Sequence, residues 1–238
     1  MKYKYSTVLL KLSGEALKSE NEIYNKEKLE DIAKQIVELA KNGLKLGIVI
    51  GGGNIWRGKL GTDIDMPQIN ADYMGMLATV MNGLALESTI KRLGYDKVNV
   101  YSSLPIETVT DDYNFKRARL KMNEGYISIF VGGTGFSYFT TDTNSVIRAI
   151  EIDADAVLMA KNGVKGVYDS DPNLNPNAKF YKKLTHREIA ENQLRVMDLT
   201  AATLAKDAKL PIEVFDMQGQ NNIIKVMEGS LESTIIEE

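Results

Sequence analysis

Short apolar segments that run directly into glycine turns constrain this chain more than any other feature. Three of them are β-branched or apolar almost throughout: Thr7–Leu12, Leu46–Ile50 and Tyr126–Val131. Strands buried on both faces of a parallel sheet have this composition, whereas half-exposed strands alternate polar and apolar residues. The chain is therefore predicted to build its core around buried parallel strands.

Segments with helical periodicity separate these strands. The helical segments are Leu29–Ala40, Ala71–Leu93, Tyr113–Asn123 and Asp142–Ile150, and further strands are predicted at 97–101, 156–159 and 211–215. This alternation predicts an α/β protein with a mainly parallel sheet and helices on both faces. The polar segment Lys59–Asn70 is predicted to be irregular. No linker rich in proline or serine interrupts the 238 residues, which predicts a single domain.

Several glycines stand where they cost conformational entropy. Gly51, Gly52 and Gly53 are consecutive, which predicts positive φ angles or a ligand lying against bare backbone. The alternative is an ordinary flexible turn. Gly75 and Gly83 interrupt a predicted helix, which indicates that another backbone packs closely there, either in the same chain or in a neighbouring subunit.

Composition excludes several kinds of chemistry. The chain has no cysteine and one histidine, His186, at a predicted helix start, so thiolate sites and histidine clusters are excluded and a Ser/His/Asp triad is disfavoured. The net charge of −3 gives no basic excess for nucleic acid, and no apolar run approaches the roughly 18 residues of a membrane span. We expect a cytoplasmic protein that binds neither nucleic acid nor a membrane.

The predicted strand ends carry groups suited to phosphate. Lys11, Arg57, Asp142 and Lys161 all follow or end predicted strands, as do the glycine clusters 51–53 and 132–135. In a parallel sheet these groups would meet at one edge, where lysine, arginine and backbone N–H groups could stabilise a transferred phosphoryl group. Taken singly, Lys11 could be a solvated lysine and Asp142 a helix cap. Neither a Walker A motif nor a Gly-x-Gly-x-x-Gly motif is present.

Five motifs, in order along nearly the whole chain, resemble those of the bacterial uridylate (UMP) kinases of the amino-acid-kinase superfamily. They are Lys11–Leu17, Gly51–Gly58, Asp72–Gly83, Gly133–Gly135 with Phe139–Asp142, and Val196–Leu199. The resemblance implies a three-layer α/β/α sandwich, the carbamate-kinase-like fold of that superfamily. It also implies the reaction ATP + UMP = ADP + UDP, with Mg²⁺ bound through the nucleotide phosphates and no metal held by the protein alone.

The same resemblance assigns residues to the two substrates. Four positions are implied to be catalytic: Lys11, Arg57, Asp142 and Asp198. Those implied to bind ATP are Lys11, Leu12, Ser13, Gly14, Gly53, Arg57, Asn162, Tyr168 and Asp171. Those implied to bind UMP are Gly52, Asp72, Gly133, Thr134, Gly135, Phe136, Ser137, Tyr138, Phe139 and Thr140.

The resemblance further implies which part of the chain binds which substrate, and how many subunits assemble. Residues from about 1 to 155 would bind the acceptor and form subunit contacts, and those from about 156 to 238 would bind ATP. The family enzyme is a homohexamer. Two alternatives stay open: a superfamily relative that phosphorylates acetylglutamate or carbamate, and a non-catalytic nucleotide-binding regulatory protein on the same fold.

Overall fold

The computed structural model describes residues 3–192, 194 and 196–238. Within them, nine strands form one sheet and two form a small antiparallel ribbon. The strands are β1 (Thr7–Leu12), β2 (Lys45–Ile50), β3 (Val98–Ser102), β4 (Asp111–Asp112), β5 (Ile127–Val131), β6 (Ala156–Lys161), β7 (Val167–Tyr168), β8 (Phe180–Tyr181), β9 (Lys183–Thr185), β10 (Ile212–Asp216) and β11 (Ser233–Glu237).

The large sheet is mainly parallel. Its order is β4-β3-β5-β2-β1-β6-β10-β11-β9, and every neighbouring pair from β4 to β10 is parallel. β11 runs antiparallel to β10 and pairs in parallel with β9. β1 lies at the centre between β2 and β6, so the two halves of the chain share one sheet.

Helices cover both faces of this sheet. They are α1 (Lys26–Lys41), α2 (Gly58–Asp63), α3 (Gln68–Arg92), α4 (Phe115–Asn123), α5 (Thr141–Glu151), α6 (His186–Glu191), α7 (Leu199–Asp207) and α8 (Asn222–Glu228). One hydrophobic core joins the sheet to α1, α3 and α8, and a second joins it to α4, α5, α6 and α7. The predicted three-layer α/β/α sandwich is confirmed. Among the described residues, no helix is both long and apolar enough to cross a membrane.

The prediction that Lys59–Asn70 is irregular was wrong. α2 begins at Gly58, and α3 begins at Gln68 after Pro67. Two glycines in six residues give α2 little intrinsic helix propensity. Tertiary packing compensates, because a β-carbon at Gly61 would lie only 2.8 Å from the Ala71 Cβ of α3. Contacts of this kind are not visible in local sequence.

The glycines inside α3 pack against their own chain. A β-carbon at Gly83 would overlap the Val131 side chain of β5. The Gly75 carbonyl oxygen would lie 2.9 Å from a β-carbon at Gly52, whereas a β-carbon at Gly75 itself would meet only the Trp56 side chain at an ordinary 3.7 Å. Close packing within the chain therefore accounts for Gly83, and the subunit contact suggested for this helix stays a prediction.

The single histidine is buried at the start of α6. His186 is 4% exposed at the first turn of α6, and reciprocal hydrogen bonds between Thr185 and Glu188 cap that helix. Burial lowers the pKa of His186, although a hydrogen bond to the backbone of Leu210 works in the opposite direction. Its position supports the structural role predicted for it.

The lowered pKa of His186 predicts an acid-sensitive fold. The folded protein resists protonation of His186 more than the unfolded chain does, so stability should be full above about pH 6.5 and fall as the pH drops below it. Urea unfolding of the protein and of His186→Gln from pH 5 to 8 measures this. The wild type should lose stability more steeply between pH 6.5 and 5; parallel curves would contradict the prediction.

Candidate active site

The carboxyl ends of the central strands bring the predicted phosphate-binding groups together. Leu12 at the end of β1 pairs with Ile50 at the end of β2, and Lys11 pairs with Met159 of β6. At this edge the Lys11 Nζ lies 2.9 Å from the Asp142 Oδ1, with side chains 12% and 18% exposed. Asp142 belongs to the first turn of α5, so this ion pair joins the central strand to a helix start.

A second lysine lies in the same electrostatic environment. Lys161 ends β6, and its Nζ donates to the Val196 carbonyl at 2.8 Å. Burial lowers the pKa of Lys161, the positive charge of Lys11 lowers it further, and Asp142 opposes both. Two lysines therefore lie within the electrostatic influence of one carboxylate at the sheet edge, although only Lys11 is paired with it, and a polyphosphate would complete this charge arrangement.

A cavity of about 300 Å³ opens on the β2 side of β1; neither Lys11 nor Asp142 is among its lining residues. Six of the ten residues assigned to UMP line it: Gly52, Asp72, Gly133, Phe136, Phe139 and Thr140. Gly53, assigned to ATP, also lines it. Of the others, Thr134 bonds within its own loop through Phe136, and Gly135 packs against Ser103. Ser137 is not among the lining residues.

Close packing explains the middle one of the three consecutive glycines, and positive φ explains none of them. None of Gly51, Gly52 and Gly53 has a positive φ angle. A β-carbon at Gly52 would lie 2.8 Å from the Ala78 Cβ and 2.9 Å from the Gly75 oxygen, both in α3. At Gly53 it would approach only Glu15, at 3.5 Å. Gly52 therefore lets α3 pack against the loop, and Gly53 leaves backbone open to the cavity.

Positive φ angles occur instead in the loop after β5. Gly132, Gly133 and Gly135 have φ angles of +74°, +56° and +85°. Helix α3 holds this loop from the other side, because the Gly132 N–H donates to the Thr79 hydroxyl at 2.8 Å. The Tyr138 N–H donates to the Asp72 carboxylate at 2.8 Å, and Tyr138 itself has a φ angle of +66°.

Arg57 lies at the rim and is already paired. Its Nη2 donates to the Glu15 Oε1 at 2.5 Å, and its Nε reaches the Gly53 carbonyl at 3.3 Å. Its side chain is 58% exposed, and it is not among the residues that line the cavity. Burial raises the pKa of Glu15, but Lys18 and Arg57 outweigh it and lower the pKa overall. A phosphate at Gly53 would have to share Arg57 with Glu15.

A second cavity, of about 550 Å³, opens on the β6 side of β1. Tyr168 and Asp171, which the sequence analysis assigned to ATP, line it together with Lys161 and the apolar side chains Val164 and Val214. Asn162 does not line it; its Oδ1 accepts from Gln218 at 2.7 Å, beside a neighbouring cavity. The Gly51 N–H donates to the Leu12 carbonyl at 3.0 Å and the Gly14 backbone packs against Gly51, while Leu12, Ser13 and Gly14 line neither cavity.

The Asp198 carboxylate is hydrogen-bonded to two threonines at the start of α5. Its carboxylate accepts hydrogen bonds from the hydroxyls of Thr140 and Thr143 and from the Ala201 N–H, which caps α7. Burial raises the pKa of Asp198, but these hydrogen bonds outweigh it and lower the pKa overall. The carboxylate therefore reaches the cavity through Thr140, so any effect on chemistry would be through positioning.

The sequence analysis missed three polar residues beneath the cavity. Asn82 is fully buried and donates to the Gly51 carbonyl at 2.7 Å. Thr79 holds Gly132, as described above. Asn144 is 1% exposed and lines the cavity, and its Oδ1 has no hydrogen-bond partner among residues 3–192, 194 and 196–238. Their burial on helix faces is a tertiary property, although asparagine at an apolar helix position is a usable signal.

The fold and the site together indicate which class of protein this is. Two cavities flank a lysine–aspartate pair at the carboxyl edge of a parallel sheet, with open glycine backbone beside them, which is a site for bringing two phosphate-bearing ligands together. The family model described as "Amino acid kinase family" matches residues 6–216. The chain therefore belongs to the amino acid kinase family.

Individual proteins similar to this chain carry more specific names. A protein named "Uridylate kinase" from Mycoplasma capricolum subsp. capricolum is 77% identical over 237 residues, covering 100% of both chains. A uridylate kinase from Limosilactobacillus reuteri is 43% identical over 98% of both. The crystal structure of UMP kinase from Ureaplasma parvum matches with a TM-score of 0.95 at 38% identity, covering 99% of this chain and 100% of that one.

The different surroundings of Gly52 and Gly53 predict different costs for the same substitution. Gly52→Ala must displace α3 and should destabilise the fold by about 1–3 kcal/mol, the usual cost of overpacking. Gly53→Ala, which is the matched control, should cost less than about 1 kcal/mol because its β-carbon meets no backbone. Urea unfolding of the two variants compares them. Equal destabilisation would contradict the packing explanation.

Proposed function

We propose that this chain transfers the γ-phosphoryl group of ATP to UMP, giving ADP and UDP. The observation that carries the proposal is the Lys11–Asp142 pair at the end of β1. In the sheet, β1 lies between the strands that line a cavity holding six predicted UMP residues and the strands that line one holding Tyr168 and Asp171. The names of its relatives support the same reaction. In this proposal residues up to about 155 serve the acceptor, and the remainder serve ATP.

The positive charges at the sheet edge supply the catalysis. Lys11 and Lys161 neutralise the charge that spreads over the transferred phosphoryl oxygens, and Asp142 holds Lys11 in place. Backbone N–H groups at Gly52 and Gly53 and the Arg57 guanidinium receive the acceptor and donor phosphates. A phosphate oxygen of UMP attacks directly, so the protein needs to supply neither a nucleophile nor a base.

Mg²⁺ enters this proposal with the nucleotide. It takes phosphate oxygens and water as ligands, and when bound it neutralises charge on the donor phosphates. The carboxylates near the site are already engaged, Asp142 by Lys11 and Asp198 by two threonine hydroxyls. No group of three or more His, Cys, Asp or Glu side chains within the described part of the chain could hold a metal. A metal held largely by phosphates fits these residues.

The lining of the acceptor cavity favours a nucleotide over a small acid. Trp56, Phe136 and Phe139 border it, and flat aromatic side chains suit a base. Carbamate and acetylglutamate have no ring to fill such a space. Asp72, at the same cavity, is placed to accept ribose hydroxyls in exchange for its hydrogen bonds from Gln68 and Tyr138.

An acceptor panel tests the proposed function. ADP release is measured with ATP and saturating UMP, CMP, dUMP, acetylglutamate or carbamate. UMP should give the highest kcat/KM of the five. Preference for acetylglutamate or carbamate would favour the other enzymatic reading, and absence of turnover with every acceptor would favour a non-catalytic nucleotide-binding protein.

Two variants should separate catalysis from acceptor binding. Lys11→Ala should lower kcat by about 10²–10³-fold, because it removes charge stabilisation at the transferred group. Asp72→Ala should mainly raise the KM for UMP, by about 10-fold or more, since it removes a partner of a hydroxyl remote from the reacting atoms. Asp72→Asn is the control, because it keeps an acceptor for the Tyr138 N–H. Equal changes in both parameters for both alanine variants would contradict these roles.

We also propose a homohexamer, in the cytoplasm where ATP and UMP serve pyrimidine nucleotide synthesis. The exposed face of α3 supports assembly, because Met74, Leu77 and Met81 are 38%, 48% and 52% exposed along one helical stripe. Apolar stripes of this kind mark protein contacts.

Substitution on that stripe tests the assembly. Leu77→Glu should lower the mass measured by light scattering after size-exclusion chromatography. Leu120→Glu, at an apolar residue 64% exposed on α4, is the matched control and should leave the mass unchanged. A wild-type monomer would contradict the proposed assembly.

A further inference from the structure

A buried arginine contacts the loop that follows β5 from behind. Arg148 lies on α5 and is 5% exposed. Its Nη1 donates to the Glu151 carboxylate at 2.6 Å, and its Nη2 donates to the Ser103 hydroxyl at 2.8 Å and to the Gly133 carbonyl at 3.3 Å. It is not among the residues that line the acceptor cavity, so it has no direct path to a ligand there.

Both groups that hold the Gly133 carbonyl belong to this cluster. The Ser103 hydroxyl donates to the same oxygen at 2.9 Å while it accepts from Arg148. Two donors on one carbonyl fix the peptide plane that follows Gly133. Gly133 has a φ angle of +56°, which residues with a β-carbon rarely adopt. The loop therefore owes its shape to groups outside the cavity as well as to its glycines.

The positive charge of Arg148 is balanced within this cluster, although its Nε has no hydrogen-bond partner among the described residues. Glu151 balances it, and the Tyr113 hydroxyl donates to the same Glu151 oxygen. The Tyr113 ring lies against the guanidinium, 3.7 Å from the Arg148 Cζ to the ring centroid. Burial raises the pKa of Tyr113, and the hydrogen bond to Glu151 raises it further, so the hydroxyl stays a donor. A charge buried this completely is costly unless its partners and geometry are well placed.

We propose that Arg148 is a positioning residue for the acceptor nucleotide. Through the Gly133 carbonyl and Ser103 it holds the loop 132–135 in the shape that places Gly133 and Phe136 at the cavity. A guanidinium is suited to this because its planar fork serves several partners at once, which a lysine ammonium cannot do in the same geometry. The inference rests on the proposed function, since it assumes that this cavity takes UMP.

Arg148→Lys tests the proposal. The variant keeps the positive charge beside Glu151 but cannot also reach Ser103 and the Gly133 oxygen. UMP affinity is read from the fluorescence of Trp56, the single tryptophan, which lines the cavity. We expect the Kd and KM for UMP to rise at least 10-fold, with kcat and the KM for ATP within twofold of wild type.

Two further variants guard against a merely structural effect. Arg119→Lys is the matched control. Arg119 lies on α4 and its Nη2 pairs with the Asp153 carboxylate at 2.7 Å, away from the loop. This substitution should change none of these constants. Ser103→Ala keeps Arg148 and removes one donor to Gly133, so it should raise the KM for UMP about 3-fold. It serves as the test if Arg148→Lys does not fold.

The outcomes separate this inference from the proposed function. If wild-type Trp56 fluorescence and turnover do not respond to UMP, the proposed function fails. If the wild type responds but a folded Arg148→Lys binds UMP as tightly, only the positioning role fails. Parallel changes in kcat and in both KM values for Arg148→Lys or Ser103→Ala would also overturn it, because a general structural defect is not selective for the acceptor.

Discussion

The parallel pairing of β1 with β2 on one side and β6 on the other is the constraint on which the rest of the structure depends. It places the ends of three strands at one edge, so that Lys11, the glycines after Ile50, and Lys161 become neighbours although they are distant in sequence. The same pairing puts the two cavities on opposite sides of β1 in the sheet. The Lys11–Asp142 pair then ties this edge to α5.

Much of this arrangement could be predicted from the sequence because buried parallel strands and amphipathic helices leave clear local patterns. The central strands and the long helices were predicted this way, and the strand-end lysines follow from them. The failures share a physical cause. α2 and the reason for Gly52 both depend on contact with α3, and the short strands β4 and β9 are defined by their neighbours. Neither kind of information is present in a window of local sequence.

The site works through groups that are held before any ligand arrives. Lys11 is held by Asp142, Thr140 by Asp198, and Arg57 by Glu15. Preorganised donors of this kind need little reorientation during the reaction. The energy saved on reorientation is the main source of electrostatic catalysis. The Arg148 cluster extends the same principle one layer outward, because it shapes a loop whose glycines would otherwise be free to adopt other conformations.

The central claim is that a UMP phosphate attacks ATP directly at this edge, with no phosphorylated protein intermediate. The stereochemical course at phosphorus tests it most directly, using ATP whose γ-phosphorus is chiral through sulfur and oxygen isotope labels. A single in-line transfer predicts inversion of configuration in the UDP product. Retention would require two successive transfers through a protein nucleophile, and would contradict the account.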